Sequence, residues 1–282
     1  MIDNESNPYI SVVLTAYNRT QFLREAFESL VAQHLDYQKF EVIIVSNYDV
    51  SFLPLSHFIK NGGNLKIIKQ EGFIGSFFKS ALSVASGEIL CFLDDDDIFY
   101  NQKLSVVEKN FKKNRNLGYY SNDFTTINDQ NLSYQNKTKI GKMSLTRKNS
   151  ILINNKSDWK YVKKFIDYRG NALNSTISIR KNIMAEYLPF MEYVMRTEDE
   201  ILFAISLDSD YDLMLDPLKL TKYRISNTSA TRLNSTFPTA LTNRCAVLQR
   251  ELDTMSKVLN NHTLFKSEIT VKYLNISHSF IM

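Results

Sequence analysis

The sequence has few of the residues on which disulfide-bonded or zinc-bound domains depend. Its 282 residues include only two cysteines and four histidines. The cysteines, Cys91 and Cys245, are distant in sequence and do not make a disulfide framework. The histidines show no spacing typical of a zinc site. We therefore expect neither disulfides nor zinc, and a reducing, cytoplasmic compartment.

Long apolar runs and a strong net charge are also missing. No apolar stretch reaches the roughly 20 residues that cross a bilayer, and the polar, acidic first residues predict no signal peptide. The formal net charge is only +4, with basic and acidic residues interspersed, which argues against a nucleic-acid partner. The inner face of a membrane, through peripheral contact, stays open as a location.

Apolar runs alternate with amphipathic stretches along the first 113 residues. The pattern predicts strands at 10–15, 41–46, 65–69 and 88–93, and helices at 19–33, 53–60, 76–85 and 102–113. This alternation is typical of parallel βαβ units in a doubly wound sheet. Ligands bind beyond the carboxyl ends of the strands in such sheets, so the residues that follow each strand are the candidates for function.

The remaining sequence is less regular. Residues 122–157 are polar and predict a long excursion from the sheet. We expect a strand at 175–179, a helix at 198–207, strands at 211–215 and 218–224, and a long amphipathic helix at 239–259.

Four consecutive aspartates, Asp94 to Asp97, follow the fourth predicted strand. Carboxylates crowded at the end of a buried strand repel one another, so a cation must offset their charge or some must be protonated. A divalent cation with a bound diphosphate meets this need. The alternative is a solvated acidic loop or a group that caps the next helix, which the adjoining apolar strand makes less favoured.

The order of several motifs resembles glycosyltransferase family two. Thr-Ala-Tyr-Asn-Arg at 15–19 follows the first strand, and Ala-Ser-Gly-Glu at 85–88 precedes the strand that leads into the aspartates. Lys103-Leu104 comes next, and Glu198-Asp199 opens a later helix. The resemblance covers roughly residues 8–229.

The resemblance implies an α/β protein of the GT-A fold, with a Rossmann-like, doubly wound mixed sheet and a C-terminal helical extension. The implied GT-A domain covers residues 1–235, with a donor-binding half at 8–124 and an acceptor-binding, catalytic half at 155–230. The extension covers residues 236–282.

The resemblance also implies roles for single residues. Tyr17 lies near the nucleobase, Asp95 near the ribose, and Asp96 coordinates the Mn²⁺ or Mg²⁺ ion that bridges the diphosphate, while Asp94 shapes the site. The residues implied to bind the donor are Thr15, Ala16, Tyr17, Arg19, Asn47, Asp94 and Asp95.

The segment after the second strand departs from the family pattern. The pair of aspartates that usually follows the second strand is replaced by Ser46 and Asn47. An asparagine amide can accept from a pyrimidine ring N–H and can donate to a carbonyl. Base binding is therefore retained as an expectation, the base preference stays open, and Asp49 is a nearby substitute.

The segment Thr197-Glu198-Asp199-Glu200 has two interpretations. Thr followed three residues later by Glu is a capping box, and acidic residues suit a helix N-terminus whatever the function. The resemblance instead implies that Asp199 is the general base for the acceptor hydroxyl, with Glu198 orienting it or binding the acceptor. Burial and acidic neighbours would raise its pKa and make it a better base.

Two further groups give hypotheses. The aromatic residues of 159–168 have the spacing of a buried helix face, although they could also stack on a sugar. Tyr223 and Arg224 follow a strand and are candidates for closing over the diphosphate, and Arg232 is a candidate phosphate contact.

The expected function is metal-dependent, inverting transfer of a sugar. The donor is a nucleoside-diphosphate sugar, and the acceptor is a hydroxyl of a glycan, a lipid-linked or a protein-linked molecule. A non-catalytic sugar-nucleotide or glycan-binding protein stays open, as does a homodimer. A nucleotidyltransferase would carry a Gly-rich basic loop after the first strand, and a Rossmann dehydrogenase a Gly-x-Gly-x-x-Gly; neither follows Thr15.

Overall fold

The computed structural model of the chain describes residues 7–133, 149–154, 156–168, 170, 173–226, 246, 249–254, 256–258, 260 and 264–281. The strands in these residues are β1 (Ile10–Ala16), β2 (Phe40–Ser46), β3 (Asn64–Lys69), β4 (Ile89–Asp94), β5 (Ile98–Phe99), β6 (Leu117–Ile127), β7 (Ile151–Ile153), β8 (Ile177–Arg180) and β9 (Asp212–Arg224). The helices are α1 (Leu23–Val31), α2 (Leu55–Lys60), α3 (Ile74–Val84), α4 (Lys103–Lys113), α5 (Trp159–Asp167), α6 (Lys181–Met184), α7 (Glu198–Asp208) and α8 (Glu268–Ile281).

The described strands form one mixed sheet in the order β3-β2-β1-β4-β8-β6-β9-β5, with β7 paired to β9. Strands β1 to β4 are parallel to one another, whereas β8 runs antiparallel to both β4 and β6. The α/β class and the mixed sheet predicted from the sequence are confirmed. The carboxyl ends of β1 and β4 lie side by side, because Thr15 pairs with Asp94.

Strands β1, β2 and β4 are buried on both faces, which explains their continuous apolar sequences. Successive residues point to opposite sides of the sheet. Val13 and Phe92 pack into one hydrophobic cluster, and Val12 and Cys91 pack into the other. Helices therefore cover the sheet on both sides, and the strand ends are the part of the sheet left accessible to a ligand.

The prediction of a polar excursion from residue 122 is wrong over its first part. Strand β6 continues to Ile127 and is almost wholly buried. Its polar side chains are hydrogen-bonded inside the sheet. The hydroxyl of Tyr120 donates to Asp216 Oδ2 at 2.9 Å, and Asn122 Nδ2 donates to Thr221 Oγ1 at 3.0 Å. These bonds allow a polar sequence to occupy a central strand.

The two late strands predicted at 211–215 and 218–224 are one strand, β9. Its register with β6 shifts between the pairs Asn122–Asp216 and Asp123–Lys219, so Pro217 and Leu218 form a bulge. Proline has no N–H to give to the ladder and is confined to such irregular positions. The break in the apolar pattern therefore marks a bulge in a strand that continues beyond it.

The described residues of the C-terminal part are mostly helical, apart from residues 264–267. Residues 249–254 and 256–258 are helical, and α8 follows at Glu268–Ile281. Much of the helix predicted at 239–259 lies outside the described residues, as do Arg232 and Cys245. No described helix combines the length and the apolar composition needed to cross a membrane.

Candidate active site

A cavity of about 700 Å³ opens at the carboxyl ends of β1 and β4. Its walls come from the loops after both strands, the start of α3, the start of α7 and the helical stretch at 249–254. The polar and charged residues that line it are Thr15, Tyr17, Asn18, Arg19, Asp94, Asp95, Asp96, Asn174, Arg196, Thr197, Glu198, Asp199, Tyr223, Arg250 and Glu251.

Asp94 lies at the end of β4, with one face in the cavity. Its Oδ1 accepts from Asn174 Nδ2 at 2.8 Å, and its backbone N–H donates to Ser175 Oγ at 3.0 Å. Burial, and then the charge of Asp96, raise the pKa of Asp94 to about 6 against the opposing effect of Asn174. An ionised Asp94 therefore gains from any cation that enters the cavity.

Asp95 is buried beneath the loop that follows β1. Its Oδ2 accepts from the backbone N–H of Tyr17 at 3.2 Å, and its Oδ1 accepts from Arg19. Burial raises the pKa of Asp95 to about 7 against the opposing charge of Arg19. The carboxylate thus holds the loop at the end of β1 against the end of β4.

Arg19 contacts two consecutive aspartates at once. Its Nη1 donates to Asp96 Oδ2 at 2.6 Å, while its Nη2 forms an ion pair with Asp95. Its side chain is about one quarter exposed, at 26%. The predicted helix at 19–33 begins only at Leu23, so Arg19 lies in the preceding loop and reaches the acidic strand end.

We call the four residues Asp94 to Asp97 the acidic turn. Asp97 and Arg224 lie on its buried side. The backbone N–H of Arg224 donates to Asp97 Oδ1 at 2.9 Å, and its Nε donates to the carbonyl oxygen of Asp96 at 2.8 Å. Its Nη2 pairs with Glu25 at 2.6 Å. The side chain is fully buried and faces away from the cavity, so the hypothesis that Arg224 closes over a diphosphate is wrong. Tyr223 does line the cavity.

Asp199 lies at the start of α7 and lines the same cavity as Arg19. Its Oδ2 accepts from the backbone N–H of Leu173 at 3.0 Å, and its Oδ1 accepts from that of Glu200 at 2.9 Å. Burial raises the pKa of Asp199 against these two hydrogen bonds. Burial, followed by the charges of Asp199 and Asp94, raises the pKa of Glu198 to about 8.

The capping-box interpretation of this helix start is wrong. Thr197 has a left-handed backbone with φ of 60° and makes no side-chain cap. Its hydroxyl donates to the carbonyl oxygen of Arg196 at 2.6 Å. A β-branched residue in this region is strained, and such strain is often found at functional sites. Glu198 and Asp199 line the cavity, and no side-chain cap from Thr197 accompanies this acidic helix start.

An apolar wall lies beside the acidic residues. Phe73, Ile74 and Phe77 line the cavity at the start of α3, and the half-exposed ring of Tyr17 meets Phe77 edge-on, with ring centroids 5.8 Å apart. The wall depends on Gly75, where a Cβ would lie 1.8 Å from the carbonyl oxygen of Met191. A flat apolar surface with an exposed tyrosine suits a nucleobase or a sugar face.

The C-terminal helical stretch forms the last wall. Glu251 Oε1 accepts from Arg196 Nε at 3.0 Å, and Thr254 Oγ1 accepts from the backbone N–H of Met195 at 3.0 Å. Arg250 and Glu251 both line the cavity. Residues far along the chain thus brace the segment that leads into Asp199.

Two implied donor-binding residues do not line the cavity. Ala16 is fully buried in the core. Asn47 pairs with Asn18, since its Oδ1 accepts from the Asn18 N–H at 3.0 Å and its Nδ2 donates to Asn18 Oδ1 at 2.6 Å. Asp49 is hydrogen-bonded locally, because its Oδ1 accepts from the backbone N–H of Ser51 at 3.1 Å. The other implied donor residues, with Asp96, Glu198 and Asp199, share the cavity.

Sequence reasoning missed several residues of the site. Asn174, which contacts Asp94, belongs to a run of three buried polar residues, Asn174 to Thr176. A polar run that overlaps the start of the strand predicted at 175–179 was the available signal. Phe73, Arg250 and Glu251 gave no such signal. Of the aromatic residues in α5, Phe165 is buried in the core, while Tyr161 is exposed and neither lines the cavity.

Comparison with known proteins places the chain in a family. The family model described as "Glycosyl transferase family 2" matches residues 11–176, which is more than half of the chain. The chain belongs to glycosyl transferase family 2. The matched residues include nearly all of β1, the acidic strand end and β6, and the match ends before α7.

A curated relative of this family-2 chain is the putative colanic acid biosynthesis glycosyl transferase WcaA of Escherichia coli (strain K12). It is 30% identical over 106 residues, which are 36% of this chain and 37% of WcaA. Several other curated relatives are also matched over only 16–32% of their length. The chain therefore spans little more than a third of these relatives at most.

Solved structures confirm the GT-A fold. The crystal structure of S. aureus TarS 1-349 in complex with UDP has a TM-score of 0.63 at 17% identity, covering 96% of this chain and 72% of that one. The mannosyltransferase PcManGT from Pyrobaculum calidifontis, in complex with GDP-Man and Mn²⁺, has a TM-score of 0.55 at 12% identity, covering 99% and 73%.

The acidic end of this family-2 site suits a divalent cation that arrives with a phosphate group. Among the residues the structure describes, no three His, Cys, Asp or Glu side chains are grouped to hold a metal ion by themselves. Asp94 and Asp96 nevertheless both line the cavity. Mg²⁺ is commonly held by one or two carboxylates together with substrate phosphates, and the donor set fits that mode.

We expect the ligand-free family-2 chain to become more stable as the pH falls from 7 to 5. Burial raises the pKa of Asp94, Asp95 and Glu198 to about 6, 7 and 8, so the folded chain takes up protons that the unfolded chain does not. This stabilisation is complete below the unfolded pKa values and is lost as the pH rises through the folded ones. Lys103, whose pKa burial lowers to about 7, opposes it mainly above pH 7.

The measurement is the thermal unfolding midpoint at pH 5, 6 and 7, at constant ionic strength and without metal or nucleotide. The midpoint should rise towards pH 5. A midpoint that falls over the same range would mean that the buried carboxylates are not destabilised in the ionised form.

Proposed function

We propose that this family-2 chain is an inverting glycosyltransferase. It transfers a sugar from a nucleoside-diphosphate sugar to a hydroxyl of a glycan, lipid-linked or protein-linked acceptor. The supporting observation is that the acidic strand end, Tyr17 and Asp199 line one cavity. A charged diphosphate, a base and an acceptor hydroxyl then have separate places in a single site.

On the donor side, Tyr17 packs beside the nucleobase and Thr15 lies near the phosphates. Asp95 contacts the ribose region, and its hydrogen bond with the Tyr17 N–H keeps that loop in place. Ala16 and Asn47 contribute through the backbone and the loop conformation, since their side chains are turned away from the cavity. TarS was solved with UDP and PcManGT with GDP-Man, so we propose a uridine or guanosine diphosphate sugar.

Asp96, with Asp94 beside it, would hold a divalent cation, Mn²⁺ or Mg²⁺, which would supply positive charge to the leaving diphosphate. PcManGT, which shares the fold, was solved with Mn²⁺. Arg224 keeps the acidic turn in shape from behind, because it binds Asp97 and the Asp96 carbonyl oxygen.

On the acceptor side, Asp199 removes the proton from the attacking hydroxyl. The N–H groups of Leu173 and Glu200 hold its carboxylate in one orientation, and its raised pKa makes it a better base than an exposed aspartate. Glu198 orients the acceptor. Attack on the face opposite the diphosphate inverts the anomeric carbon in one step, so no covalent intermediate is needed.

The GT-A domain at 1–235 and the helical extension at 236–282 stay a proposed division. The donor-binding half at 8–124 carries Arg19 and the aspartates, and the half at 155–230 carries Asp199. Arg250 and Glu251 come from the extension and line the cavity. We therefore propose that the extension completes the acceptor side of the site.

A non-catalytic nucleotide-sugar or glycan-binding protein is the second candidate. The observation that favours it is the Asn47–Asn18 pair, which stands where the family usually has an acidic base-reading residue. A protein of this kind would bind a donor without cleaving it.

The test is release of nucleoside diphosphate from a panel of UDP- and GDP-sugars, with Mn²⁺ and with a mixture of glycan and lipid-linked acceptors. We expect one donor to be turned over, more slowly with EDTA. Binding of a donor without turnover under every acceptor condition would favour the non-catalytic candidate. Release of pyrophosphate from a nucleoside triphosphate instead would indicate a nucleotidyltransferase.

A further inference from the structure

The guanidinium of Arg19 stands at the place where a divalent cation would meet the acidic turn. Its Nη1 lies 2.6 Å from Asp96 Oδ2, and its Nη2 pairs with Asp95 Oδ1. The two carboxylates are 13% and 4% exposed. One guanidinium therefore neutralises part of an aspartate cluster in a poorly solvated environment, where charge interactions are strong.

The backbone at Arg19 is held independently of its side chain. The hydroxyl of Tyr48 donates to the Arg19 carbonyl oxygen, and the Tyr17 N–H donates to Asp95 at 3.2 Å. Asn18, between them, is fixed by its pair with Asn47. Arg19 lines the cavity with about a quarter of its side chain exposed, so its guanidinium can leave Asp96 by side-chain rotation, without a shift of the loop.

We propose that Arg19 is a competing counter-cation, which keeps a divalent metal from Asp96 until the donor diphosphate arrives. This inference rests on the proposed function and adds an order of binding, in which the metal reaches Asp96 only with the donor diphosphate. A guanidinium and a dication cannot share Asp96 at close range without repelling one another. A diphosphate offers Arg19 a bidentate partner as good as the carboxylate, so it frees Asp96 while it brings its own oxygens to the metal.

The proposal requires metal and nucleotide to strengthen one another's binding. Such coupling is reciprocal, so the nucleotide raises the metal affinity by the same factor as the metal raises the nucleotide affinity. In the free chain the metal must displace Arg19 unaided and binds weakly. In a chain without the guanidinium, the metal affinities with and without nucleotide should differ much less.

The shape of the acidic turn does not depend on Arg19. Arg224 holds the turn from the buried side through the Asp97 carboxylate and the Asp96 carbonyl oxygen, at 2.9 and 2.8 Å. Removal of the Arg19 guanidinium therefore exposes Asp96 to a metal rather than collapsing its loop.

The experiment measures Mn²⁺ binding by the electron paramagnetic resonance signal of free Mn²⁺, with and without UDP or GDP. For Arg19→Gln we expect Mn²⁺ to bind about tenfold tighter than to the wild type when no nucleotide is present, a typical size for coupling between sites. The enhancement by nucleotide should shrink by a similar factor. No turnover is needed for this readout.

Arg24→Gln is the matched control. Arg24 lies in α1, five residues after Arg19, is about half exposed, and contacts Glu28 at 3.8 Å and the Phe52 carbonyl oxygen at 2.8 Å. Its removal takes away the same charge without touching the acidic turn. We expect Mn²⁺ binding to be unchanged in this variant.

Mn²⁺ affinity equal to or weaker than wild type in folded Arg19→Gln would overturn the role of Arg19. The proposed function would survive that result if UDP or GDP still enhanced Mn²⁺ binding by the wild type. No Mn²⁺ binding by the wild type, even with nucleotide, would overturn both. If Arg19→Gln does not fold, Arg19→Lys carries the same comparison, because a lysine cannot span both carboxylates and should give an intermediate affinity.

Discussion

An Asp199→Asn variant is expected to bind UDP or GDP as the wild type does and to transfer sugar about 10²–10⁴-fold more slowly, the usual contribution of a general base. The amide has the size of the carboxylate but cannot take a proton from the acceptor. Binding is measured by titration calorimetry with Mn²⁺ present, and transfer by product formation at saturating donor.

The structure also sets the expected side effect on stability. The two oxygens of Asp199 accept from the N–H groups of Leu173 and Glu200, and an amide can keep only one of these bonds. We expect a loss of about 1 kcal/mol in the free energy of unfolding, as for one hydrogen bond. Thermal unfolding will show whether the variant stays folded at the assay temperature.

Asp210→Asn is the control, since Asp210 lies just after α7, the helix that carries Asp199, and is exposed. It should transfer sugar at the wild-type rate. If Asp199→Asn retained transfer within about threefold of the wild type, Asp199 would not be the base, and Glu198 would become the candidate.

An Asp96→Asn variant is expected to lose metal-dependent donor binding and to transfer sugar about 10³-fold more slowly. A metal supplies several kcal/mol of charge stabilisation to a leaving group, and each 1.36 kcal/mol is a factor of ten in rate. The change keeps the size of the side chain and removes the charge that faces the cavity. Arg19 retains Asp95 as a partner, so the loop after β1 should stay ordered.

The measurement is the shift in thermal midpoint on adding UDP with Mn²⁺, together with the transfer rate. The wild type should show a shift that EDTA removes, and Asp96→Asn should show little shift. Asp167→Asn is the control, because Asp167 is exposed and pairs with Lys163 on α5. A metal-dependent shift of wild-type size in Asp96→Asn would place the metal on other ligands.

The two variants separate the halves of the proposed site. Asp199→Asn should affect transfer and leave nucleotide binding, whereas Asp96→Asn should affect both. This separation follows from the structure, because Asp96 belongs to the strand end below the loop of Tyr17, and Asp199 belongs to the wall formed by α7. The opposite pattern would contradict the assignment of donor and acceptor sides.

The sequence alone determined the fold class and the position of the acidic turn. Strands such as β1 and β4 are continuous apolar runs, and in helices such as α3 and α4 the apolar residues recur at the helical period. Each pattern is local, so it can be recognised in a single sequence. Four aspartates after an apolar strand are equally visible. The order of these motifs was enough to indicate the family.

Only the tertiary structure decided which charges meet. Arg19 and Asp96 are 77 residues apart, Arg224 and Asp97 are 127 apart, and Asn174 and Asp94 are 80 apart. Neither periodicity nor spacing encodes such contacts. They arise when the strand ends are brought to one edge of the sheet, which also decides that Arg19 faces the cavity and Arg224 does not.

The same reason explains the errors along the chain. Strand β6 was hidden because its polar residues become acceptable in a strand only when distant partners such as Asp216 and Thr221 satisfy them. The capping box at Thr197 was a correct local pattern that the fold does not use. Local sequence thus determined the elements and the chemistry available to them. Packing determined which side chains share the site, because burial and pairing depend on residues far apart in the chain.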